Sequence, residues 1–257
     1  MIWLGIDTAN APLSVAIVKD GKVVAEVIQN IKVTHSVGAM SAVEELFAKA
    51  NMKPVQVDAI AISEGPGSYT GVRIGVTIAK TLAWTLKRPL VGVSSLQVLA
   101  ANAKLFNGVI CPLFDARRQN VYAAAYHGQT LEAVISDYHD HIDGLIAKLQ
   151  ALNEPVLFIG TDVDVFWDKI KETLGDSAIR ASYTIDLPRA SELVALAEIC
   201  ELPVVEAVHN FVPQYRRIAE AEANWIKEQK QVLLLVQQLE QVLQQEQEAG
   251  NVVYHGM

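Results

Sequence analysis

The sequence predicts an α/β protein built from two copies of one structural plan. Apolar residues make up 51% of the 257 residues, which is enough to bury a substantial core. Three strands, a helix, a strand, a helix, a strand and a helix are expected in residues 1–106, and the same order is expected again in residues 107–217. An aspartate ends the first strand of each half, Asp7 in one and Asp115 in the other. The repeated order therefore predicts two duplicated lobes.

The elements of the first half follow from hydrophobic periodicity. Apolar runs and alternation predict strands, and apolar residues spaced by three and four positions predict helices. Asp20-Gly21 is typical of a hairpin turn. In order, we expect strands at Ile2–Thr8, Leu13–Lys19 and Lys22–Gln29, a helix at Ser36–Ala50, a strand at Val57–Ser63, a helix at Gly71–Leu86, a strand at Leu90–Val93 and a helix at Ser95–Leu105.

The second half repeats this order, and a third segment, residues 218–257, follows it. A long C-terminal helix is expected at Ala219–Glu248, which either folds back over the lobes or offers an interaction surface. Its apolar stripe consists of Val232, Val236, Leu239 and Leu243. In the second half we expect strands at Val109–Phe114, Asn120–Tyr126 and Thr130–Ile135, a helix at Ile142–Leu152, a strand at Val156–Ile159, a helix at Val163–Leu174, a short strand at Ala178–Ala181 and a helix at Ser191–Cys200.

The charge of the chain argues against direct binding of nucleic acid. The formal net charge is −8, whereas a protein that binds RNA through its own surface usually carries a basic patch. Only isolated basic pairs occur, at Lys87-Arg88, Arg117-Arg118 and Arg216-Arg217. We therefore expect a partner to make any contact with nucleic acid.

The cysteines and the N-terminus predict a cytoplasmic protein. Cys111 and Cys200 lie far apart in apolar sequence, so we expect two buried thiols and no disulfide. The segment Met1–Asp7 lacks the basic region of a signal peptide. The longest apolar run near the C-terminus, Val232–Val236, is too short to span a membrane.

The two aspartates allow two interpretations. If the halves face each other, Asp7 and Asp115 lie at the mouth of one cleft, where paired carboxylates can hold a metal–nucleotide. Alternatively, each aspartate caps a tight turn. The cluster Asp137–Asp143 likewise allows a metal site or, as we prefer, the acidic first turn of the following helix.

This plan resembles the superfamily of actin, the sugar kinases and the heat-shock ATPases, which is built from two lobes of ribonuclease-H-like fold. Members of that superfamily carry glycine-rich hairpins after each aspartate, whereas the turns Thr8–Pro12 and Ala116–Asn120 contain no glycine. The resemblance therefore implies a degraded nucleotide site. Only weak nucleotide contacts are expected, from Asp7, Thr8, Asp115, Arg117 and Gly160.

The glycine segment, Ser63–Gly75, has four glycines between a predicted strand and a predicted helix. Such a turn can hold an anion or let another backbone come very close. Its spacing fits neither a P-loop nor a dinucleotide fingerprint. Gly71 and Gly75 share one helix face, which admits a second helix either inside the lobe or across a subunit interface. Ser68 and Thr70 can cap the helix, and Tyr69 is an aromatic residue of the kind that anchors interfaces.

At the glycine segment the resemblance becomes specific. Gly65–Gly75 is similar to the signature of the bacterial TsaB (YeaZ) family, and the similarity extends over about Met1 to Ile226. Membership would imply a role in making threonylcarbamoyladenosine beside the anticodon of tRNAs that read codons beginning with A. It would also imply pairing with TsaD, a catalytic paralogue, and engagement of the ATPase TsaE. Other matching stretches are Gly5–Ala9, Asp115–Arg118 with Val121-Tyr122, and Pro213–Arg217 with Ala219–Glu222.

The same resemblance implies a chain without catalytic function. TsaD-like proteins carry an H-x-x-x-H metal pair just after the strand that here is Leu90–Val93, and Ser95 and Leu99 stand at those positions. Neither is a good ligand for a transition metal. We therefore expect no catalytic residue, no metal and no cofactor in the chain alone, with ATP or ADP only at a partner interface. The segment His35–Met40 departs from the family pattern, so the surface of the first helix is not defined by the resemblance.

The resemblance thus implies a pseudoenzyme subunit that dimerises with a TsaD-like protein, engages a TsaE-like ATPase, can pair with itself when alone and meets tRNA only through the complex. The helix Ser36–Ala50 would lie beside the docking surface. Leucine at Gly71 or Gly75 should then block association and leave a folded monomer. The alternative function is that of an ATP-dependent phosphotransferase that uses Asp7 and Asp115. The predicted docking residues are Gly65, Pro66, Gly67, Ser68, Tyr69, Thr70, Gly71, Arg73, Ile74, Gly75 and Ile78.

Overall fold

The computed structural model describes residues 1–31 and 35–216, and for residues 35–37 it describes the backbone only. Residues 1–216 form one compact unit. The long helix expected at Ala219–Glu248 lies outside the described residues.

The first half contains a five-stranded mixed sheet. Strands β1, β2 and β3 are antiparallel neighbours, and β4 and β5 run parallel to β1 on its other side. The spatial order is β3-β2-β1-β4-β5. The strands are β1 (Ile2–Asp7), β2 (Leu13–Lys19), β3 (Lys22–Gln29), β4 (Ala59–Ser63) and β5 (Leu90–Val93).

The second half contains a sheet of the same topology. Strands β6, β7 and β8 are antiparallel neighbours, and β9 and β10 run parallel to β6. The order β10-β9-β6-β7-β8 reproduces that of the first sheet. The predicted fold class, an α/β protein of two duplicated lobes, is confirmed by these two matching sheets. The strands are β6 (Val109–Asp115), β7 (Asn120–His127), β8 (Ala133–His141), β9 (Val156–Ile159) and β10 (Ala178–Arg180).

Six α-helices in the described part cover the faces of the two sheets. The first two pack on the outer face of the first sheet, and the fourth and fifth pack on the outer face of the second. The helices are α1 (His35–Lys49), α2 (Tyr69–Leu86), α3 (Ser95–Ala101), α4 (Ile142–Gln150), α5 (Trp167–Leu174) and α6 (Ala190–Glu198).

The remaining two helices, α3 and α6, lie between the sheets, and each packs on the sheet of the other half. From α6, Leu193 and Val194 pack against Trp3 of the first sheet. From α3, Leu96 and Leu99 lie in one core cluster with residues of the second sheet. Each half therefore uses a helix of the other half to bury its inner sheet face.

Glu26 on β3 holds the start of α6. Its carboxylate accepts hydrogen bonds from the backbone N–H and the hydroxyl of Ser191, at 2.9 and 2.7 Å, and pairs with Arg189. Burial acts to raise the pKa of Glu26, but these interactions outweigh it, so the pKa lies below its usual value. A charged side chain of the first half thus caps a helix of the second.

The chain after α6 returns to the first half. A 3₁₀ turn at Val205–Asn210 lies against α2, and the Lys80 ammonium donates to the carbonyl oxygens of His209 and Phe211, at 3.1 and 2.7 Å. The N–H of Gln214 donates to the carbonyl oxygen of Glu64 at 2.8 Å. We call residues 205–216 the strap.

Three local predictions were wrong. The third strand of the second half covers Ala133–His141 rather than Thr130–Ile135, so most of the cluster expected to begin a helix lies in a strand. The helix expected from Val163 begins at Trp167, after one 3₁₀ turn. Cys111 is buried as expected, whereas Cys200 is exposed because α6 ends before it. In the described residues, no helix combines the length and the apolar character needed to cross a membrane.

Candidate functional site

The glycine segment packs against the first hairpin turn and against the strap. The Ser68 N–H donates to the carbonyl oxygen of Ala9 at 2.7 Å, and a Cβ at Gly67 would overlap that oxygen. A Cβ at Gly65, where φ is +111°, would lie 2.5 Å from the carbonyl oxygen of Gln214. Because the obstacles are backbone atoms, these positions have no room for a side chain. The segment therefore serves close backbone approach within the chain.

Gly71 and Gly75 face the interior of their own lobe. The Thr8 hydroxyl donates to the carbonyl oxygen of Gly71 at 2.7 Å. A Cβ at Gly75 would overlap the same hydroxyl and would lie 3.1 Å from Cδ1 of Ile62. The expectation that these positions present a bare face to a partner is therefore not met. A leucine at Gly75 would collide with the core, so the folded monomer expected for that variant is not supported by the structure.

The other predicted docking residues differ in accessibility. Tyr69 is 58% exposed, and the Ser68 hydroxyl caps α2 by accepting from the N–H of Gly71 at 3.3 Å. The Arg73 side chain reaches back to the Tyr69 hydroxyl at 2.9 Å. Buried residues are Gly65, Pro66, Gly71 and Gly75; half-buried residues are Gly67, Ile74 and Ile78; exposed residues are Ser68, Tyr69, Thr70 and Arg73.

An apolar groove lies between α1 and α2. Its volume is about 360 Å³, and Met40, which is 45% exposed, stands at its rim. Ile74 and Ile78 continue the helix face of Leu82, at spacings of four residues. The sequence indicated that the first helix would lie near the docking surface, but it did not single out the groove, because the lining comes from distant segments. The lining residues are Leu4, Met40, Ser41, Val43, Glu44, Phe47, Pro54, Leu82 and Leu86.

Asp7 caps the first hairpin turn from a buried position. The residue is 1% exposed, and its Oδ1 accepts a hydrogen bond from the N–H of Ala9 at 2.9 Å. Its Oδ2 has no hydrogen-bond partner within the described residues. Burial raises the pKa of Asp7 to about 6, and the bond from Ala9 limits the rise. Turn capping, one of the two interpretations of this residue, is thus what the side chain does here.

The two hairpin turns meet at a third carboxylate, that of Asp162. Its Oδ2 accepts from the backbone N–H of Asp115 at 2.9 Å and from the side-chain amide of Asn10 at 3.4 Å. Asp115 itself accepts from the N–H of Arg117 at 2.8 Å, so it also caps its turn. A negative charge at the junction of the two turns repels the phosphates that a nucleotide would bring there.

The turn after β6 adopts a left-handed conformation without glycine. The φ angles of Arg117, Arg118 and Gln119 are +69°, +54° and +61°. The Asn120 side chain stabilises this turn by donating to the carbonyl oxygens of Arg117 and Arg118, both at 3.1 Å. The side chain of Arg117 is 84% exposed.

The backbone N–H of Gly160, the other predicted nucleotide contact, is already hydrogen-bonded within the protein. Its N–H donates to Oδ1 of Asp186 at 2.9 Å, and Arg180 holds both oxygens of that carboxylate, at 2.8 and 2.6 Å. Asp186 is 5% exposed. An internal carboxylate thus takes the donors that an anionic ligand would use at this turn.

Ser95 and Leu99, the positions at which the resemblance implied a missing metal pair, make structural contacts. The Ser95 hydroxyl accepts from the Ser63 hydroxyl at 2.7 Å and from the N–H of Gly65 at 3.1 Å. Leu99 is fully buried. Ser95 therefore supports the glycine segment. Within the described part of the chain, no group of three or more His, Cys, Asp or Glu residues is arranged to hold a metal ion.

Asp137, expected at a helix start, instead links the two lobes. Its carboxylate accepts from the hydroxyls of Ser94 and Tyr126, at 2.5 and 2.7 Å. Burial raises the pKa of the nearby Glu64, and the charge of Asp137 adds to the rise. The sequence did not reveal this network, because its four members come from four different strands or turns.

The comparisons with known proteins agree with this geometry. The family model of TsaD, described as tRNA N6-adenosine threonylcarbamoyltransferase, matches residues 22–225. The tRNA threonylcarbamoyladenosine biosynthesis protein TsaB of Bacillus subtilis is 44% identical over 232 residues, which are 90% of this chain and the whole of the relative. The chain belongs to the TsaB family. The TsaB protein of Escherichia coli is 31% identical over 76% of this chain and 84% of its own length.

A solved member of the family has the same fold. The protein from Pseudomonas aeruginosa described as similar to the peptidase YeaZ superposes with a TM-score of 0.70 at 28% identity. The superposition covers 84% of this chain and 99% of that protein. The resemblance found in the glycine segment of the sequence is therefore confirmed as membership of the TsaB (YeaZ) family.

Proposed function

We propose that this chain is a non-catalytic subunit in the synthesis of threonylcarbamoyladenosine on tRNA, and that it docks a TsaD-like catalytic subunit through the groove between α1 and α2. Two lines support the proposal. The relatives are named for the synthesis of threonylcarbamoyladenosine on tRNA. The groove is an apolar surface of the kind that binds a partner protein.

The proposed docking depends on the apolar surface of the groove between α1 and α2. Met40 on α1 places apolar area at its rim, and the half-buried Leu82 and Leu86 extend that area along the neighbouring α2. Contiguous apolar surface flanked by polar residues is typical of a protein interface. A partner of related fold would offer a corresponding helix pair, so that four helices could bury their apolar strips together. The chain on its own would pair with itself through the same strip.

The contacts made by residues at the expected nucleotide site support the absence of a catalytic role. Asp7 is buried, Asp162 places a carboxylate at the junction of the two turns, and Asp186 holds the N–H of Gly160. A nucleotide would therefore bind only where a partner supplies the missing donors. A TsaE-like ATPase would engage the assembled pair, and the two proteins together would present the tRNA.

Charge placed in the groove tests the docking surface. Met40→Glu should weaken association with the TsaD-like subunit by about tenfold or more, because the carboxylate would be desolvated in an apolar interface. Val24→Glu is the matched control, since Val24 is 42% exposed on β3, away from the groove. Dissociation constants from sedimentation velocity would measure both. Equal binding by the two variants would rule out the groove as the docking site.

The rival function, an ATP-dependent phosphotransferase, is tested on the chain alone. Calorimetric titration with ATP and magnesium should show no micromolar binding, because the donors at both turns are already engaged. Micromolar binding that disappears in Asp7→Ala would instead support the phosphotransferase.

A further inference from the structure

One side of α2 carries a line of rings and cations. We call it the α2 stripe. Four of its residues recur at spacings of four and seven, which is one face of a helix, and the fifth, Lys87, directly follows the end of α2 in a left-handed conformation. Tyr69 and Trp84 are 58% and 52% exposed, and Arg73 and Lys87 are exposed as well. The α2 stripe consists of Tyr69, Arg73, Lys80, Trp84 and Lys87.

The strap adds a second ring at each end of the α2 stripe. Tyr215 lies beside Tyr69, with ring centroids 5.1 Å apart, and His209 lies beside Trp84, with centroids 3.9 Å apart. The Arg73 guanidinium lies 5.2 Å from the centre of the Tyr69 ring. At a rise of 1.5 Å per residue, the two ring pairs are about 22 Å apart along the helix, with Arg73 and Lys80 between them.

The charge around the α2 stripe differs from that of the whole chain. Residues 65–114 contain no aspartate and no glutamate, although the chain has a net charge of −8. The strap beside α2 adds one exposed carboxylate, Glu206, and one arginine, Arg216. Within the described residues no carboxylate pairs with Arg73, Lys80 or Lys87. The exposed charges of Arg73 and Lys87 are therefore available to an anionic ligand. The half-buried Lys80 ammonium instead donates to the carbonyl oxygens of His209 and Phe211.

Exposed rings along one line, with cations between and beside them, suit unpaired nucleic acid. Bases stack on aromatic side chains, and Arg and Lys contact the phosphates between them. The α2 stripe is separate from the proposed docking surface, because Ile74, Ile78 and Leu82 point about 140° away from it around the helix. A complex could therefore use both faces at once.

We infer that the α2 stripe, together with Tyr215 and His209 of the strap, binds an unpaired segment of RNA. This inference rests on the proposed function, in which the substrate is a tRNA, and it assigns this chain a direct contact with that substrate. It also revises the expectation, based on net charge, that only a partner touches nucleic acid. The fold brings Tyr69 and Tyr215 together, although 145 residues separate them in the sequence.

The test uses the full chain in complex with its TsaD-like partner and a fluorescent, unmodified tRNA that reads a codon beginning with A. Arg73→Glu and Tyr69→Ala should each raise the dissociation constant for the tRNA about fivefold or more. Arg73→Glu should also reduce the dependence on salt, by about one unit in the slope of log K against log salt.

Two matched controls separate the α2 stripe from general effects. Lys22→Glu makes the same charge change at an exposed lysine on β3, and Tyr183→Ala removes a tyrosine that is 84% exposed in the other half. Both should change the dissociation constant less than about twofold. Trp84→Phe, which keeps a ring, should retain the affinity, and thermal unfolding of every variant would identify one that fails to fold.

Several outcomes would overturn the inference. If the variants weaken assembly with the TsaD-like subunit but the assembled complex binds tRNA as before, the stripe contacts protein rather than RNA. If neither property changes, the stripe binds neither. If the unaltered chain forms no complex, the proposed function fails, and the same titrations on the chain alone decide whether the stripe binds RNA.

Discussion

At the scale of single residues, Gly75 shows how closely α2 approaches β1. A Cβ there would overlap the Thr8 hydroxyl, which donates to the carbonyl oxygen of Gly71. Alanine favours a helix by about 1 kcal/mol over glycine, but the displaced contact costs about 1–3 kcal/mol. We expect Gly75→Ala to lower the free energy of unfolding by about 1–2 kcal/mol in urea denaturation.

The matched control for this change is Thr77→Ala, at an exposed position on the same helix. It should leave stability within about 0.5 kcal/mol of the unaltered chain. If Gly75→Ala proved as stable as Thr77→Ala, the space beside Thr8 would be larger than the structure indicates.

Asp7 gives a pH dependence whose sign can be derived. Its folded pKa of about 6 lies above the value of about 3.9 for an unfolded chain, so folding favours the protonated form. The cost of burying the charge therefore grows as the pH rises from about 4 to about 6, and it stays constant above that. Asp7→Asn keeps an oxygen for the N–H of Ala9 and carries no charge. We expect it to be about 1–3 kcal/mol more stable than the unaltered chain at pH 8, and to show about half of that gain at pH 5.

Urea midpoints at the two pH values would measure this effect. Asp176→Asn is the control, because that side chain is fully exposed and its substitution should give no such dependence on pH. A gain of equal size at pH 5 and pH 8 would show that charge burial at Asp7 is not the cause.

The sequence predicted close approach at the glycines but not the groups that approach. Spacing on a helix shows that Gly71 and Gly75 share a face, whatever lies opposite. Thr8, Ala9 and Gln214 lie opposite the glycine segment because of the pairing of β1 with β4 and the return of the strap, which are long-range features. Local pattern carries no information on such contacts.

At the scale of elements, the pairing of Glu26 with Arg189 and Ser191 fixes α6 to the first sheet. Glu26→Gln removes the charge that faces Arg189, so we expect a loss of about 1–3 kcal/mol in unfolding free energy at pH 7. Because the folded pKa of Glu26 is lowered, its contribution is present above the unfolded value of about 4.3 and is lost as the pH falls below it. The unfolding free energies of the unaltered chain and of Glu26→Gln should therefore become similar in acid.

The surface pair of Glu192 and Lys104, 2.8 Å apart, supplies the control for that measurement. Glu192→Gln should change the unfolding free energy by less than about 1 kcal/mol, because water screens an exposed pair. If Glu192→Gln lowered the unfolding free energy as much as Glu26→Gln, the ion pair of Glu26 would contribute no more than a pair at the surface.

The bounds of the elements were predictable where periodicity was strong. The expected bounds of β2, β3, β5 and β9 agree with the structure. The expected bounds of β8 were wrong, because Asp137, His139 and Asp140 look like the polar start of a helix when only their neighbours are considered. Pairing with β7, which places Tyr122 opposite His139, determines the strand there.

At the scale of the whole molecule, the exchange of α3 and α6 predicts that the halves depend on each other. Residues 1–106 alone would expose Trp3, Ala61 and Val91, which α6 normally covers. Large apolar area without a cover favours aggregation over folding. We expect residues 1–106 and residues 107–216 to lack cooperative unfolding when separate, and residues 1–216 to unfold in one transition.

Circular dichroism during heating would measure all three fragments. Mixing the two halves should restore a cooperative transition, because the exchanged helices would find their sheets. A sharp transition of residues 1–106 alone would show that the first lobe does not need α6.

The exchanged helices also bear on how such a chain could arise by gene duplication. A single ancestral half would leave much of the inner face of its sheet uncovered, since Leu96 and Leu99 of its third helix pack on the other sheet and the small side of that helix, at Val98 and Ala101, packs on its own. In a pair of copies, the third helix of each would cover the sheet of the other, as in a domain-swapped homodimer. Fusion of two such copies would preserve every contact of the dimer and remove its dependence on concentration. After fusion, each half could diverge separately, which is what the inequivalent turns at Asp7 and Asp115 display.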